Sequence, residues 1–260
     1  MKKACCLVLT LLLALTVAAG PLKAADRGVL FQYSTINALM DGVYDGDLTY
    51  GELARHGDFG LGTFNALDGE MIALEGKFYQ VKADGSVRPV PDYWRTPFAQ
   101  VTSFHPDKVF HLSETLDSRQ LEKFLEKRLP SPNLIYAVKI QGTFSYVKTR
   151  SVSRQRRPYP PLTESAKKQA VFEFQEVAGT VVGFLIPKYL GGVNVTGAHL
   201  HFLTADSKAG GHLLDCRIAA ATRVEICELD GLQLRLPRTE EFLRLDLSGG
   251  RDKEIEKVER

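Results

Sequence analysis

The chain has 260 residues, of which 44% are hydrophobic and 25% are charged, and its formal net charge at pH 7 is +2. These proportions are ordinary for a soluble globular protein, and the length allows one large domain or two small ones with a real core. The formal charge becomes −1 if residues 1–24 are removed, so the chain lacks the basic excess that attracts nucleic acid.

The N-terminus has the layout of a secretory signal peptide. Two lysines precede an apolar run over residues 4–19, and small residues then lead to Ala24. The run is short for a membrane span, and an uncleaved anchor is the alternative interpretation. We predict that residues 1–24 are removed after Ala24, or alternatively after Ala19. The mature protein is then exported, periplasmic or secreted, with no stable membrane association.

Residues 25–157 are predicted to form an N-terminal mixed β-sheet domain with short helices. Helices are expected at residues 36–40 behind a Ser34 or Thr35 cap, at residues 49–56 and at residues 117–127. Short apolar segments separated by Gly and Asp turns predict strands at residues 60–64, 70–74, 77–81, 101–104, 134–140 and 142–150.

A polar, arginine-containing and proline-rich segment at residues 151–162 predicts a linker rather than a nucleic-acid patch. Beyond it, strands are predicted at residues 170–176, 179–186, 193–203, 212–219, 223–229 and 232–236. This density of short strands predicts a small β-barrel-like or sandwich domain over residues 158–247. Residues 248–260 form a charged tail. The fold class predicted for the whole chain is α+β and predominantly β.

Two cysteines, Cys216 and Cys227, remain after loss of the signal peptide. They lie symmetrically about residues 219–223, so a hairpin that turns near residues 221–222 would place them opposite one another. An oxidising compartment would permit a disulfide there. A reduced, buried pair is the alternative, because cross-strand geometry often strains such a bridge.

Three of the six histidines fall within residues 197–215. His199 and His201 are two residues apart in a predicted strand, so their side chains share one face. A turn with two glycines over residues 206–211 then returns the chain, which places His212 beside the first pair. We therefore predict a metal site made by three imidazole nitrogens with one coordination position left open.

Three histidines with an open position are the ligand set of a catalytic zinc, although other divalent transition metals also accept imidazole. Ordinary structural histidines in a hairpin are the alternative. His56, His105 and His111 show no spacing that links them to the site, and we expect surface or structural roles for them.

Separated motifs occur in order along the chain. They are Gln32-Tyr-Ser-Thr-Ile-Asn-Ala-Leu-Met40, Gly60-Leu-Gly-Thr-Phe-Asn-Ala-Leu-Asp-Gly-Glu70, the histidine segment at residues 197–215, and Ile255-Glu-Lys-Val-Glu259. Together they resemble the α-acetolactate decarboxylase family. The resemblance extends from about residue 28 to the C-terminus, which is nearly all of the mature chain.

The resemblance implies a zinc-dependent carbon–carbon lyase that converts (S)-2-acetolactate to (R)-acetoin and CO2, a step of acetoin and butanediol biosynthesis. The metal would polarise the ketone and hydroxyl oxygens of this small-molecule substrate. The implied fold has an N-terminal mixed-sheet domain and a C-terminal barrel-like β domain. A homodimer built through the sheets is also implied.

Carried over residue by residue, the resemblance places the three metal ligands on the histidines at 199, 201 and 212. It places catalytic groups on Glu70, Arg150 and Glu259, with Glu256 as the fallback for the tail residue. Thr63 is implied as a residue that lines the substrate site. The tail, on this basis, returns to the active site.

Two other functions use the same three histidines. An exported metal-binding protein would hold the ion without turnover, and a zinc hydrolase would use a metal-bound hydroxide. The chain has no methionine-rich or additional histidine-rich segment of the kind that storage and transfer proteins tend to carry. The lyase is therefore the preferred hypothesis.

Overall fold

The computed structural model describes residues 28–259 of the protein. The predicted signal peptide and its cleavage sites lie outside the described residues. Within residues 28–259, every helix is too short or too polar to cross a membrane.

Residues 28–259 contain sixteen strands and six α-helices. The strands are β1 (Val29–Tyr33), β2 (Leu48–Thr49), β3 (Phe59–Thr63), β4 (Glu70–Leu74), β5 (Lys77–Val81), β6 (Val87–Pro89), β7 (Arg95–Thr96), β8 (Ala99–Thr102), β9 (Lys108–His111), β10 (Leu116–Asp117), β11 (Ile135–Ser151), β12 (Ala170–Ile186), β13 (Gly197–Thr204), β14 (Gly210–Ile218), β15 (Arg223–Leu229) and β16 (Gly231–Arg235). The helices are α1 (Ile36–Met40), α2 (Tyr50–Leu53), α3 (Ser118–Glu126), α4 (Leu162–Ser165), α5 (Glu240–Arg244) and α6 (Asp252–Glu259).

The strands form two large sheets. The first has the order β16-β1-β8-β3-β4-β5-β6, and the second has the order β10-β14-β13-β12-β11-β15-β9. The first sheet is mixed, because β16 runs parallel to β1 while β8 runs antiparallel to it. In the second sheet β14 also pairs with β11. The predicted α+β, predominantly β fold is confirmed, and the barrel-like form stays a prediction.

The short helices begin where the sequence places caps. The Thr35 side chain accepts a hydrogen bond from the backbone of Ala38 at the start of α1. Asp117 and Gln120 form a capping box at the start of α3. The Thr35 cap and the capping box both provide acceptors for backbone N–H groups that have no partner within the first turn of a helix.

Strands β11 and β12 are longer than predicted. Each has 17 residues, and they pair along nearly their whole length, whereas the sequence predicts two shorter strands in each region. Gly142 and Gly179, which suggested interruptions, lie opposite one another in this ladder. A Cβ would lie 2.5 Å from Thr222 Oγ1 at Gly142 and 2.4 Å from the Phe202 ring at Gly179. These glycines therefore permit close packing rather than turns.

The two sheets do not divide the chain at residue 157, and the domain boundary predicted there stays a prediction. Strands β9, β10 and β11 precede that residue but belong to the second sheet. Strand β16 follows it but pairs with β1 in the first sheet. Residues 152–161, within the predicted linker, contain no helix or strand.

A buried apolar layer joins the two sheets. Phe59, Leu61 and Ile72 come from the first sheet and pack in one cluster with Val182 and Phe184 from the second. All five side chains are at most 1% exposed. Burial of such side chains is worth about 1.5–3 kcal/mol each, so this layer fixes the sheets against one another.

The two cysteines are free and buried, so the disulfide alternative is wrong for this structure. Strands β14 and β15 do not form the predicted hairpin, because both pair with β11. Cys216 lies opposite Val147 and Cys227 lies opposite Ala137, ten residues apart on that strand. The two thiols also belong to different hydrophobic clusters.

Candidate metal centre and active site

Three histidine side chains meet between the two sheets. His199 and His201 lie on β13, and His212 lies on β14 directly opposite His201. The three ring centroids are 5.1, 5.2 and 5.3 Å apart in pairs, and their ligand atoms all lie within 4.8 Å of one another. All three residues are buried. The predicted convergence of these rings is confirmed.

Two glycines allow the neighbouring strands to approach the histidines closely. At Gly183 on β12, a Cβ would lie 2.2 Å from His199 O. Gly211, just before His212, has φ +137° and would place a Cβ 2.5 Å from Arg150 O. Both positions are closed to larger residues, because real Cβ atoms do not approach another atom so closely.

The tautomers of two rings follow from their hydrogen bonds. His201 Nδ1 lies 2.9 Å from Met71 O, and His212 Nε2 lies 3.1 Å from Glu259 O. A carbonyl oxygen only accepts, so these two nitrogens carry the protons and donate. His201 Nε2 and His212 Nδ1 keep their lone pairs, and neither has a hydrogen-bond partner among residues 28–259.

All three imidazoles are held neutral. Burial lowers the pKa of His199 to about 3 and lowers the pKa values of His201 and His212 well below their usual range. The charge of Arg150 lowers each of these pKa values further. Neutral imidazole is the protonation state that binds metal ions.

The donor set fits a divalent transition metal. Buried acceptors without partners are costly, and here two oriented lone pairs on different strands have none within the described chain. Imidazoles whose other nitrogen donates to a carbonyl are the usual arrangement of histidine ligands. A cation bound by the histidines at 199, 201 and 212 would give these lone pairs a partner and would match this usual arrangement.

Arg150 lies beside this cluster, because it pairs with His212 across β11 and β14. Its Nη1 is 3.0 Å from Glu70 Oε1, and its Nη2 is 3.0 Å from Glu259 Oε2. Nη2 also donates to Val258 O at 3.3 Å. The Nε atom is buried and has no hydrogen-bond partner in the described part of the chain.

Two carboxylates lie next to the histidines. Glu70 comes from β4 of the first sheet, and its Oε2 is 3.7 Å from His201 Nε2. Glu259 comes from the last turn of α6, and its Oε2 is 3.7 Å from His199 Nε2 and 3.5 Å from His212 Nδ1. Both carboxylates thus face the nitrogens around the centre of the cluster.

Burial shapes the acidity of these carboxyl groups. It raises the pKa of Glu70 to about 7, although Arg150 opposes the rise and the charge of Glu259 adds to it. Burial also raises the pKa of Glu259, against the effect of Arg150. One arginine therefore compensates two carboxyl groups that burial favours in their protonated form.

Comparison with known proteins identifies the family. A sequence model described as Alpha-acetolactate decarboxylase matches residues 30–249. The chain belongs to the alpha-acetolactate decarboxylase family. The family resemblance predicted from the motifs is therefore confirmed.

The relatives match most of the chain. The chain is 49% identical over 239 residues to the alpha-acetolactate decarboxylase of Methylococcus capsulatus, covering 92% of this chain and 91% of that protein. It is 48% identical over 233 residues to that of Methanosarcina mazei, covering 89% and 80%. The crystal structure of alpha-acetolactate decarboxylase from Bacillus subtilis strain 168 superposes with a TM-score of 0.87 at 42% identity, covering 89% of this chain and 99% of that one.

The seven site residues implied by the family resemblance all lie at one place. They are Thr63, Glu70, Arg150, His199, His201, His212 and Glu259. The structure brings Glu259 rather than Glu256 to the histidines, since Glu259 is 7% exposed whereas Glu256 lies on the exposed side of α6.

Thr63 lies in the wall of the site. It pairs with Glu70 across β3 and β4, and both line the cavity beside the histidines. Its hydroxyl donates to Gly69 O at 2.7 Å, so its proton is engaged by the backbone. The hydroxyl oxygen can therefore act toward a further partner only as an acceptor.

The apolar half of the cavity was not among the predicted site residues. It is formed by Ile36, Leu39, Leu67, Phe98, Val152 and Leu162, all of which are buried. The first three belong to segments that resemble the family, and this resemblance was the only sequence feature that could have indicated them as site residues. The other three lie in a loop, in the predicted linker and at the start of α4, where the sequence gives no indication of a site.

Proposed function

We propose that this member of the family decarboxylates (S)-2-acetolactate to (R)-acetoin and CO2 with the help of a zinc ion. The observation that carries the proposal is the cluster of three buried, neutral histidines beside one arginine and two buried carboxyl groups. The relatives named above, which are lyases that decarboxylate acetolactate, support the same reaction.

His201 Nε2 and His212 Nδ1, which have no hydrogen-bond partner within residues 28–259, would hold the metal together with a ring nitrogen of His199. Zinc is the ion we propose, because it favours imidazole ligands and functions catalytically with three of them and an open position. Cobalt, nickel, copper and iron also accept such ligands. When bound, a zinc ion would polarise the ketone and hydroxyl oxygens of the substrate as a Lewis acid.

Arg150 would bind the substrate carboxylate before it leaves as CO2. Its Nε–H is the donor that has no hydrogen-bond partner within residues 28–259, and a planar guanidinium suits a carboxylate. The contacts of Nη1 and Nη2 with Glu70 and Glu259 hold the guanidinium plane in place. The arginine thus orients the bond that breaks.

Glu70 or Glu259 would deliver the proton to the substrate. When the bond to the carboxylate breaks, its electron pair remains on the substrate carbon as an enediolate, and one proton must be added there. A buried carboxylic acid fixed on one side of the cavity adds that proton to one face, which gives a single enantiomer. Both carboxyl groups lie beside the metal-binding nitrogens.

The apolar wall would accept the methyl groups of the substrate. Ile36, Leu39, Leu67 and Phe98 line the same cavity as the polar groups. Apolar side chains cannot satisfy additional charged groups, so the wall favours a small substrate whose polar atoms all lie on one side.

The proposal is tested with purified protein and racemic acetolactate. We expect acetoin to form, to disappear after treatment with a chelator, and to return when zinc is added. Zinc binding without acetoin would favour a metal-binding protein. Ester or amide cleavage in place of acetoin formation would favour a zinc hydrolase.

We also propose that the protein is exported and that it forms a homodimer. The N-terminal sequence supports export after cleavage at Ala24 or Ala19, and N-terminal sequencing of the exported protein tests this. We also propose a homodimer in which two first sheets join edge to edge. The exposed leucines of β16 support this edge as the contact.

A further inference from the structure

The backbone of the C-terminal helix contacts a metal-binding histidine directly. His212 Nε2 donates to the main-chain carbonyl of Glu259, the last residue of α6, at 3.1 Å. This hydrogen bond places the proton on Nε2 and leaves the Nδ1 lone pair toward the other two histidines. The orientation of one ligand is therefore set by the tail.

The corresponding bond of His201 has a different character. Its acceptor is Met71 O, in a strand that pairs with β3 on one side and β5 on the other. That carbonyl is fixed by a continuous sheet. The carbonyl that holds His212 belongs to an eight-residue helix at the end of the chain.

The position of this helix depends on its docking. Helices of this length have little stability in isolation. Ile255 and Val258 are 4% and 8% exposed and pack against the apolar wall of the cavity. Arg150 Nη2 donates to Val258 O. Just before the helix, Asn37 Nδ2 donates to Gly249 O at 3.2 Å and Arg251 forms an ion pair with Asp41, so contacts of the connecting segment also hold the helix in place.

We propose that the docked main chain of α6 positions His212 as a metal ligand, so that metal retention depends on docking of the tail more than on the Glu259 side chain. Groups that hydrogen-bond to metal ligands typically change metal affinity by about 10–100-fold when they are removed. The inference rests on the proposed metal site, and it is measured without substrate.

The experiment determines zinc affinity by competition with a chromophoric chelator at constant pH. A chain truncated after Val258 loses the carbonyl, and Ile255→Asp undocks the helix while keeping every backbone atom. We expect both changes to lower affinity by about 10–100-fold and to speed zinc transfer to excess chelator. Glu259→Gln keeps the carbonyl but removes a carboxylate that faces the metal-binding nitrogens, so we expect a loss of affinity that is smaller than the loss on truncation. Lys257→Gln, on the exposed side of the same helix, is the matched control.

The outcomes separate the alternatives. Unchanged affinity in both the truncated chain and Ile255→Asp would overturn the proposal. A loss in Glu259→Gln as large as that of truncation would also overturn it, because the side chain would then be the relevant group. Wild-type protein that binds zinc without converting acetolactate would refute the proposed function. The zinc affinities of the variants would still decide this inference, because they are measured without substrate.

Discussion

Arg150 and Glu70 form a buried ion pair, with Nη1 3.0 Å from Oε1, that joins the two sheets. Arg150 lies on β11 of the second sheet, and Glu70 lies on β4 of the first. Their side chains are 3% and 9% exposed. Since neither sheet holds both residues, the site exists only when the sheets are packed against one another.

Removal of Arg150 should destabilise the protein as well as inactivate it. Arg150→Met leaves two buried carboxyl groups without their cation, and loss of one partner of a buried pair costs about 3–5 kcal/mol. Denaturant unfolding would measure this loss. Adding Glu70→Gln and Glu259→Gln to the same chain should restore much of the stability but not the activity. A fully stable single variant would contradict the ion-pair argument.

Each of the three clustered histidines should be required for bound metal. His199→Ala, His201→Ala and His212→Ala remove one donor each from a site with three, and we expect loss of bound zinc and of acetoin formation. Metal content of the purified proteins gives the answer directly. His111→Gln, on the exposed strand β9, is the control and should keep both properties. Full metal content in any of the three alanine variants would remove that residue from the site.

Substitution of the two carboxyl groups should have different effects on the rate of acetoin formation and on the chirality of the product. Of Glu70→Gln and Glu259→Gln, the variant that lacks the proton donor should lose about 10²–10⁴-fold in rate, since this is the usual contribution of a general acid. It should also lose the enantiomeric purity of acetoin, because water can then protonate either face. Chiral chromatography of the product measures the second effect. Unchanged rate and chirality in both variants would exclude both residues as donors.

The centre of this site could be predicted from local sequence. The two-residue spacing of His199 and His201 and the Gly-Gly turn before His212 are short-range features that strand geometry converts directly into position. Glu70, Arg150 and Glu259 are distant in sequence. No local pattern brings them together, and only the resemblance to the family indicated them.

The long strands show why the fold was predicted less well. Gly142 and Gly179 suggest breaks when each segment is considered alone, but close approach of Thr222 to Gly142 and of Phe202 to Gly179 requires small residues there. The tail is similar. Its charges suggest an exposed end, yet Ile255 and Val258 are buried by residues far away in sequence. In both cases packing between distant segments outweighs local propensity.

Gly211 should not tolerate a side chain. It has φ +137°, and a Cβ there would lie 2.5 Å from Arg150 O, so Gly211→Ala must displace β14 from β11. We expect a loss of more than about 1 kcal/mol in the free energy of unfolding and weaker zinc binding, because His212 is the next residue. Gly249→Ala is the matched control, since a Cβ there meets no atom within 4 Å. Equal zinc affinity in the Gly211→Ala and Gly249→Ala variants would contradict the view that Gly211 is needed to position His212.

The proposed dimer contact can be tested at one edge of the first sheet. At the opposite end of that sheet, β6 is short and carries Pro89, which protects an edge from pairing. At the β16 end, Leu232 and Leu234 are each 37% exposed, and such an apolar edge favours pairing with a second copy.

Pairing about a two-fold axis would bring each edge next to its own copy. Leu232→Lys with Leu234→Lys would then place like charges close together across that axis, and we expect the dimer to dissociate to monomers. Sedimentation equilibrium would show the change in mass. Leu243→Lys, on α5 where the leucine is 69% exposed, is the control and should remain dimeric. A double variant that stays dimeric would place the contact elsewhere, whereas a monomeric wild type would refute the homodimer itself.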